Sequence, residues 1–244
     1  MTATEGATRR RRSSFVRDLV VVVALAVLAS FLIRTFLIQS FYIPSASMEN
    51  TLRGDPGHHD RILVDRLVPA AIPLQRGDVV VFEDPGGWLA HDGAQPAETR
   101  SPTPLQRLVD AVNPFAVGDD DHLVKRVIGL PGDRVACCDA RGRMSVNGAA
   151  LDEPYVHLPP GRTSVSRDDF DVLVPAGGLW VMGDNRDDSA DSRYNRDTPS
   201  KGFVPVGKVT GRAFVVSWPV SRWGWLSSHP ETFEGVPAPA PARR

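Results

Sequence analysis

The sequence predicts a mostly β domain behind one N-terminal transmembrane helix, and three observations carry that expectation. An arginine cluster precedes an apolar run near the N-terminus, short β-branched stretches recur between turn residues through the remainder, and an Asn-Gly pair joins two of them. At 244 residues the chain has room for one medium domain with a sizeable core, plus appendages.

Residues 1–14 are polar and basic, with nothing to bury, and read as a basic cytoplasmic tail. Residues 15–38 read as the anchor: Leu19 to Ile33 is nonpolar apart from Ser30, and apolar character resumes after Arg34. Counted through that arginine, the run approaches the roughly 20 residues a bilayer helix needs. Arg34 falls near the far end, where a long side chain carries its charge to the interface. A cleaved secretory leader matches the same residues in part. On either reading Arg9, Arg10, Arg11, Arg12 and Arg17 stay cytoplasmic and the rest of the chain crosses to the other side.

Residues 39–226 form the expected extracytoplasmic domain, with strands over Arg61–Val68, Asp78–Phe82, His122–Ile128, Leu179–Met182 and Val209–Trp218. Asn147-Gly148 predicts a two-residue hairpin, because both residues tolerate the positive φ such a turn requires. Residues 86–121, rich in Pro, Gly and Asp, read as a surface insertion with one helical candidate at Leu105–Val112. Residues 227–244 read as a flexible Pro/Ala-rich tail. Trp218, Trp223 and Trp225, with Phe41 and Tyr42, form a candidate interfacial aromatic set, though core packing accounts for one or two of them as well.

The formal net charge of −1 argues against nucleic-acid binding, which needs a clustered basic excess. Cys137 and Cys138 are adjacent, a spacing that suits neither metal ligation nor a loop-closing disulfide; they read as two thiols or a local bridge without catalytic meaning. Lysine occurs only at 125, 201 and 208, arginine supplying the other positive charge.

Three segments hold the candidate chemistry: Ile43 to Leu52 around Ser45-Ala46-Ser47-Met48, His122 to Asp133 around Lys125-Arg126, and Gly183 to Arg193 around Ser189 and Asp191. Singly, each also reads as ordinary structure: a juxtamembrane linker, a buried strand ending in a Pro-Gly turn, a solvated acidic loop. Strand alternation puts Lys125 on one face with Leu123 and Val127. Apolar burial disfavours the ammonium form, and a lysine acting as base at neutral pH must lose roughly 4 kcal/mol of preference for its charge. A neutral lysine can then do for a serine hydroxyl what histidine does elsewhere, with Ser47 as the natural partner. The Ser47 amide and a nearby hydroxyl such as that of Ser45 are in position in the sequence to hold an oxyanion.

Taken together, in this order and just after an anchor, the three segments resemble bacterial type I signal peptidases. Arg76-Gly77-Asp78-Val79-Val80-Val81-Phe82 adds a further matching strand, so the resemblance covers residues 19–218 with the insertion unmatched. It implies coiled antiparallel sheets, Ser47 as nucleophile, Lys125 as its base, and Ser45 with the Ser47 amide as oxyanion donors. It further implies that Ser189 orients the lysine, that Asp184, Arg126, Asp191 and Arg193 form supporting ion pairs, and that Met48 packs beneath the substrate. The implied reaction removes N-terminal signal peptides from secretory preproteins after small residues, without a cofactor or metal, by a monomer in contact with the lipid bilayer of the cell membrane. Asn50 stands where the family pattern has proline and Asp188 where it has asparagine, and Asn195–Lys201 looks inserted.

Competing readings were a catalytically silent membrane-tethered β module, a self-cleaving Ser-Lys protease of the transcriptional-repressor type, a Ser-His-Asp hydrolase and a calcium loop. No Gly-X-Ser-X-Gly elbow supports the third. Counted from Asp187, position six is Ser192 and position twelve Thr198, which fails the EF-hand pattern.

Overall fold

The computed structural model describes residues 5–55, 57–91 and 122–239. The insertion's helical candidate at 105–112 and the last five residues lie outside them. Helix α1 (Glu5–Phe36) contains Phe15–Leu32, of mean hydropathy 2.4 and with no part buried in the protein. Those 18 residues span about 27 Å at 1.5 Å per residue, close to the thickness of a hydrocarbon core.

Fourteen strands follow among the described residues: β1 (Ile38–Tyr42), β2 (Gly54–Asp55), β3 (His58–His59), β4 (Arg61–Asp65), β5 (Val79–Glu83), β6 (His122–Gly129), β7 (Arg134–Cys137), β8 (Ser145–Val146), β9 (Ala149–Ala150), β10 (Phe170–Leu173), β11 (Gly178–Met182), β12 (Val204–Pro205), β13 (Val209–Trp218) and β14 (Gly224–Trp225). The main sheet runs β1-β4-β13-β5-β6-β11-β12 with β14 beside β13, a second runs β10-β7-β8-β9, and all pairings are antiparallel. The mostly β expectation is met. Asn147 (φ 52°) and Gly148 (φ 85°) make the tight turn between β8 and β9.

Alternation along β5 splits the main core. Val79 and Val81 pack with Phe41, Ile43, Met48 and Leu52 on one face, and Val80 and Phe82 with Leu123 and Val127 on the other. A third cluster, under Trp180 and Met182, joins the second sheet to the first.

Four expectations need correction. The strand from Arg61 stops at Asp65, whose Oδ1 accepts the Leu67 amide at 2.9 Å and turns the chain into the short helix α2 (Leu67–Ala70). The start of the insertion is ordered: Asp84 gathers the amides of Gly86, Gly87 and Trp88 and starts helix α3 (Trp88–His91), with Trp88 buried. Phe41 is a core residue at 3% exposure and leaves the aromatic set, whereas Trp218, Trp223 and Trp225 are exposed. The chain from Ser227 to Pro239 is docked rather than free: helix α4 (Pro230–Phe233) buries Phe233 in the third cluster, and Asn147 Nδ2 donates to the Pro237 carbonyl at 2.9 Å. Composition pointed to a tail because Pro and Ala dominate its end; the one large apolar side chain decides the docking. Cys137 and Cys138 are joined in a disulfide.

The docked segment supplies the first test. Phe233→Ala should lower stability by about 3–5 kcal/mol, the usual result of emptying a buried aromatic site. Chemical denaturation in detergent measures it; an unchanged midpoint would show the segment to be dispensable.

Candidate active site

The three segments singled out in the sequence converge. After β1 the chain makes a single helical turn, Ala46–Met48, that carries Ser47. The turn is held from two sides. Gly54 lies against the backbone of Ser45, where a Cβ would collide, and the Ile43 amide donates to the Asp60 carbonyl at 3.0 Å. On the other side, the Asn185 amide donates to the Ser47 carbonyl and Asn185 Nδ2 to the Ala46 carbonyl, both at 3.2 Å.

Lys125 comes from the middle of β6, paired opposite Val80 and flanked on its face by Leu123 and Val127, as alternation predicts. Its Nζ is hydrogen-bonded to Ser47 Oγ at 2.7 Å, and lysine and serine are 1% and 4% exposed. Ser45 Oγ donates to Ser47 Oγ at 3.2 Å. Met48 is buried beside them among Phe41, Ile43 and Leu52.

Around this pair stand three arginines with almost no exposure, each matched to a buried carboxylate. Arg126 grips Asp184 through Nε and Nη2 at 2.9 and 2.7 Å, and its Nη1 donates to the carbonyls of Gly77 and Ser227. Thr51, four residues beyond Ser47, donates its hydroxyl to the same Asp184. Arg193 grips Asp191 at 2.9 and 2.8 Å, and Asp191 also accepts the Gly183 amide. The third pair, Arg186 with Glu153 at 2.7 and 3.0 Å, was not anticipated. Glu153 also accepts the hydroxyl of Tyr155, whose ring lies 4.1 Å beneath the Arg126 guanidinium. Glu153 and Tyr155 lie outside the three segments, and no spacing rule joins them to residue 186; burial of an acidic residue is the one signal, and it is invisible in a single sequence.

Ser189 lies close to Ser47, with Gly183 between them: a Cβ on Gly183 would strike both Ser189 Oγ and the Ser47 carbonyl. Ser189 is 6% exposed, but its hydroxyl has no hydrogen-bond partner among the described residues, so the expected bond to Lys125 is not formed here. The aspartates that suggested a calcium loop are taken by arginines: Asp187 by Arg162 and Arg167, Asp191 by Arg193. Asn50, the departure from the proline pattern, contacts His157 Nδ1 through Nδ2 at 3.2 Å.

Burial pushes the Asp191 carboxyl up, but the Arg193 guanidinium and the Gly183 and Arg193 amides outweigh it and hold the group below the usual carboxylate range. A carboxyl lowered by folding stabilises the fold above its unfolded pKa, near 4, and that contribution is lost as pH falls through the folded value. Asp191→Asn leaves Arg193 buried and uncompensated, so it should destabilise by about 3–5 kcal/mol at pH 7. The gap between wild type and variant should narrow in acid-unfolding curves below about pH 4. A gap independent of pH would contradict the ion pair.

Comparison with known proteins yields one family. The family model described as signal peptidase, peptidase S26, matches residues 16–218. A probable signal peptidase I of Mycobacterium leprae is 36% identical over 242 residues, covering 91% of this chain and 83% of its own. A signal peptidase I of Mycobacterium tuberculosis is 37% identical, covering 90% and 78%. Signal peptidase I S of Bacillus subtilis is 31% identical, covering 82% and 88%.

Proposed function

The chain belongs to the signal peptidase family of S26 peptidases, serine endopeptidases that remove signal peptides from secreted preproteins, and we propose that Ser47 is its nucleophile and Lys125 its general base. The observation that carries the assignment is the 2.7 Å contact between a buried amine and a buried hydroxyl. In the reaction Lys125 takes the Ser47 proton, Oγ attacks the scissile carbonyl, and the protonated lysine returns the proton to the leaving amine. The same amine then activates water to hydrolyse the acyl-enzyme. The Ser45 hydroxyl turns from Ser47 Oγ to the oxyanion, beside the Ser47 amide.

Asp184, Arg126, Asp191 and Arg193 brace the loop of Ser189 against β6 and take no part in proton transfer. Ser189 orients Lys125 through a small rotation of the lysine, its hydroxyl lying next to Ser47 across Gly183. Met48 underlies the residue before the scissile bond, and a floor built of large side chains favours small residues there by volume.

The family is membrane-bound, and α1 is one apolar helix near the N-terminus. The finer topology is our reading: residues 1–14 cytoplasmic, 15–38 across the bilayer, 39–226 outside, as a monomer resting on the lipid surface. The arginine cluster supports the orientation. Exposed Trp223 and Trp225, 67% and 79% accessible, support the contact with lipid.

Ser47→Ala and Lys125→Met should each lower preprotein cleavage by about 10³-fold or more with folding retained. Lys125→Arg should be as inactive as the methionine variant, since a guanidinium stays protonated at any usable pH. A wild-type rate in the methionine variant, across the pH range, would sink the assignment of the base.

A further inference from the structure

Away from Ser47 and Lys125, a cavity of about 590 Å³ opens between β1, β4, β5 and β13, walled by Leu37, Leu67, Phe214, Trp225 and Leu226. Leu37 is the residue that follows α1. The floor is charged: Asp65, Asp78 and Arg212 line it. Arg212 lies 3.8 Å from Asp65 and 3.6 Å from Asp78, outside hydrogen-bond reach of either. The Asp78 side chain is fully buried; its Oδ2 accepts the Gln75 amide at 2.8 Å, but Oδ1 has no hydrogen-bond partner among the described residues.

We propose that this cavity binds the headgroup of a membrane phospholipid bearing both a phosphate and a primary ammonium. Two carboxylates against one guanidinium leave the floor one negative charge in excess, which suits a ligand that brings a cation with its anion. Asp78 Oδ1 needs an N–H donor. A primary ammonium supplies one; a quaternary ammonium has the charge without the donor, and a glycerol headgroup adds only a further anion. The phosphate meets Arg212, and the glycerol and upper acyl carbons lie against Leu37, Leu67 and Trp225. Burial pushes the Asp78 carboxyl above its ordinary range, against the hydrogen bond of the Gln75 amide and the attraction of Arg212; a bound cation would relieve that.

The inference rests on the reading of α1 as a bilayer anchor, which sets Leu37 at the membrane surface. The full chain is reconstituted in phosphatidylcholine vesicles containing equal fractions of phosphatidylethanolamine and phosphatidylglycerol, floated, extracted gently and weighed by native mass spectrometry. We expect one phosphatidylethanolamine per chain, retained at least fivefold over either other lipid. Asp78→Asn should bring the excess below twofold, and its fold should survive because burial already disfavours the charge. Arg212→Gln, at a partly exposed position, should do the same and replaces it if the first variant does not fold. Equal retention of the three lipids by wild type, or an excess untouched by the variants, overturns the proposal. Flotation without that excess overturns this inference alone; no flotation at any composition overturns the anchor reading together with it.

Discussion

The rest of the molecule is arranged around one contact, an amine and a hydroxyl 2.7 Å apart and shut off from water. In water an amine is charged and a serine hydroxyl inert. Only where the ammonium form is made unfavourable does their proximity become chemistry. The protein meets that condition by placing Lys125 in the middle of a central strand, with Val80 opposite and Leu123 and Val127 along its face. An edge strand or a loop would have left the amine hydrated.

Burying the lysine is half of the requirement; the hydroxyl must be delivered to it by a turn that strand geometry does not supply. Two glycines settle this by letting backbones approach. Gly54 allows the turn to lie against its own return strand, and Gly183 allows the loop carrying Ser189 to reach the Ser47 carbonyl. The buried ion pairs then hold that loop. Such pairs contribute little net stability, since desolvation offsets much of their attraction. Breaking one strands a charge in the interior, so they act as constraints on where the loop can lie.

Much of this was legible in the sequence, for physical reasons. Period-two alternation located Lys125 on an apolar face, positive φ at Asn147 and Gly148 fixed a hairpin, and an uninterrupted apolar run marked α1. Features set by tertiary contact were not legible. Glu153 reaches Arg186 across 33 residues, and Phe41, in a strand of mixed character, turns inward with Ile43. Phe233 in a Pro/Ala-rich end found a core that composition could not announce. The same holds for Ser189: its place beside Ser47 follows from the loop, while its hydrogen bond depends on a torsion no pattern encodes.

The chain's preference for arginine bears on the dyad itself. Lys125 and Arg126 are neighbours on one strand, both almost wholly buried, yet they are asked for opposite behaviour. Alternation turns them to opposite faces, so Asp184, held by Arg126 at 2.7 Å, is kept from the face of the lysine. A carboxylate on that face would fix the amine as ammonium and remove the base. A guanidinium pairs with Asp184 without giving up its proton at any accessible pH, whereas a second lysine would leave both the pair and the proton open to titration. Using arginine for every buried ion pair around the site and lysine once, at the reacting hydroxyl, separates structural charge from exchangeable proton by chemistry as well as by position.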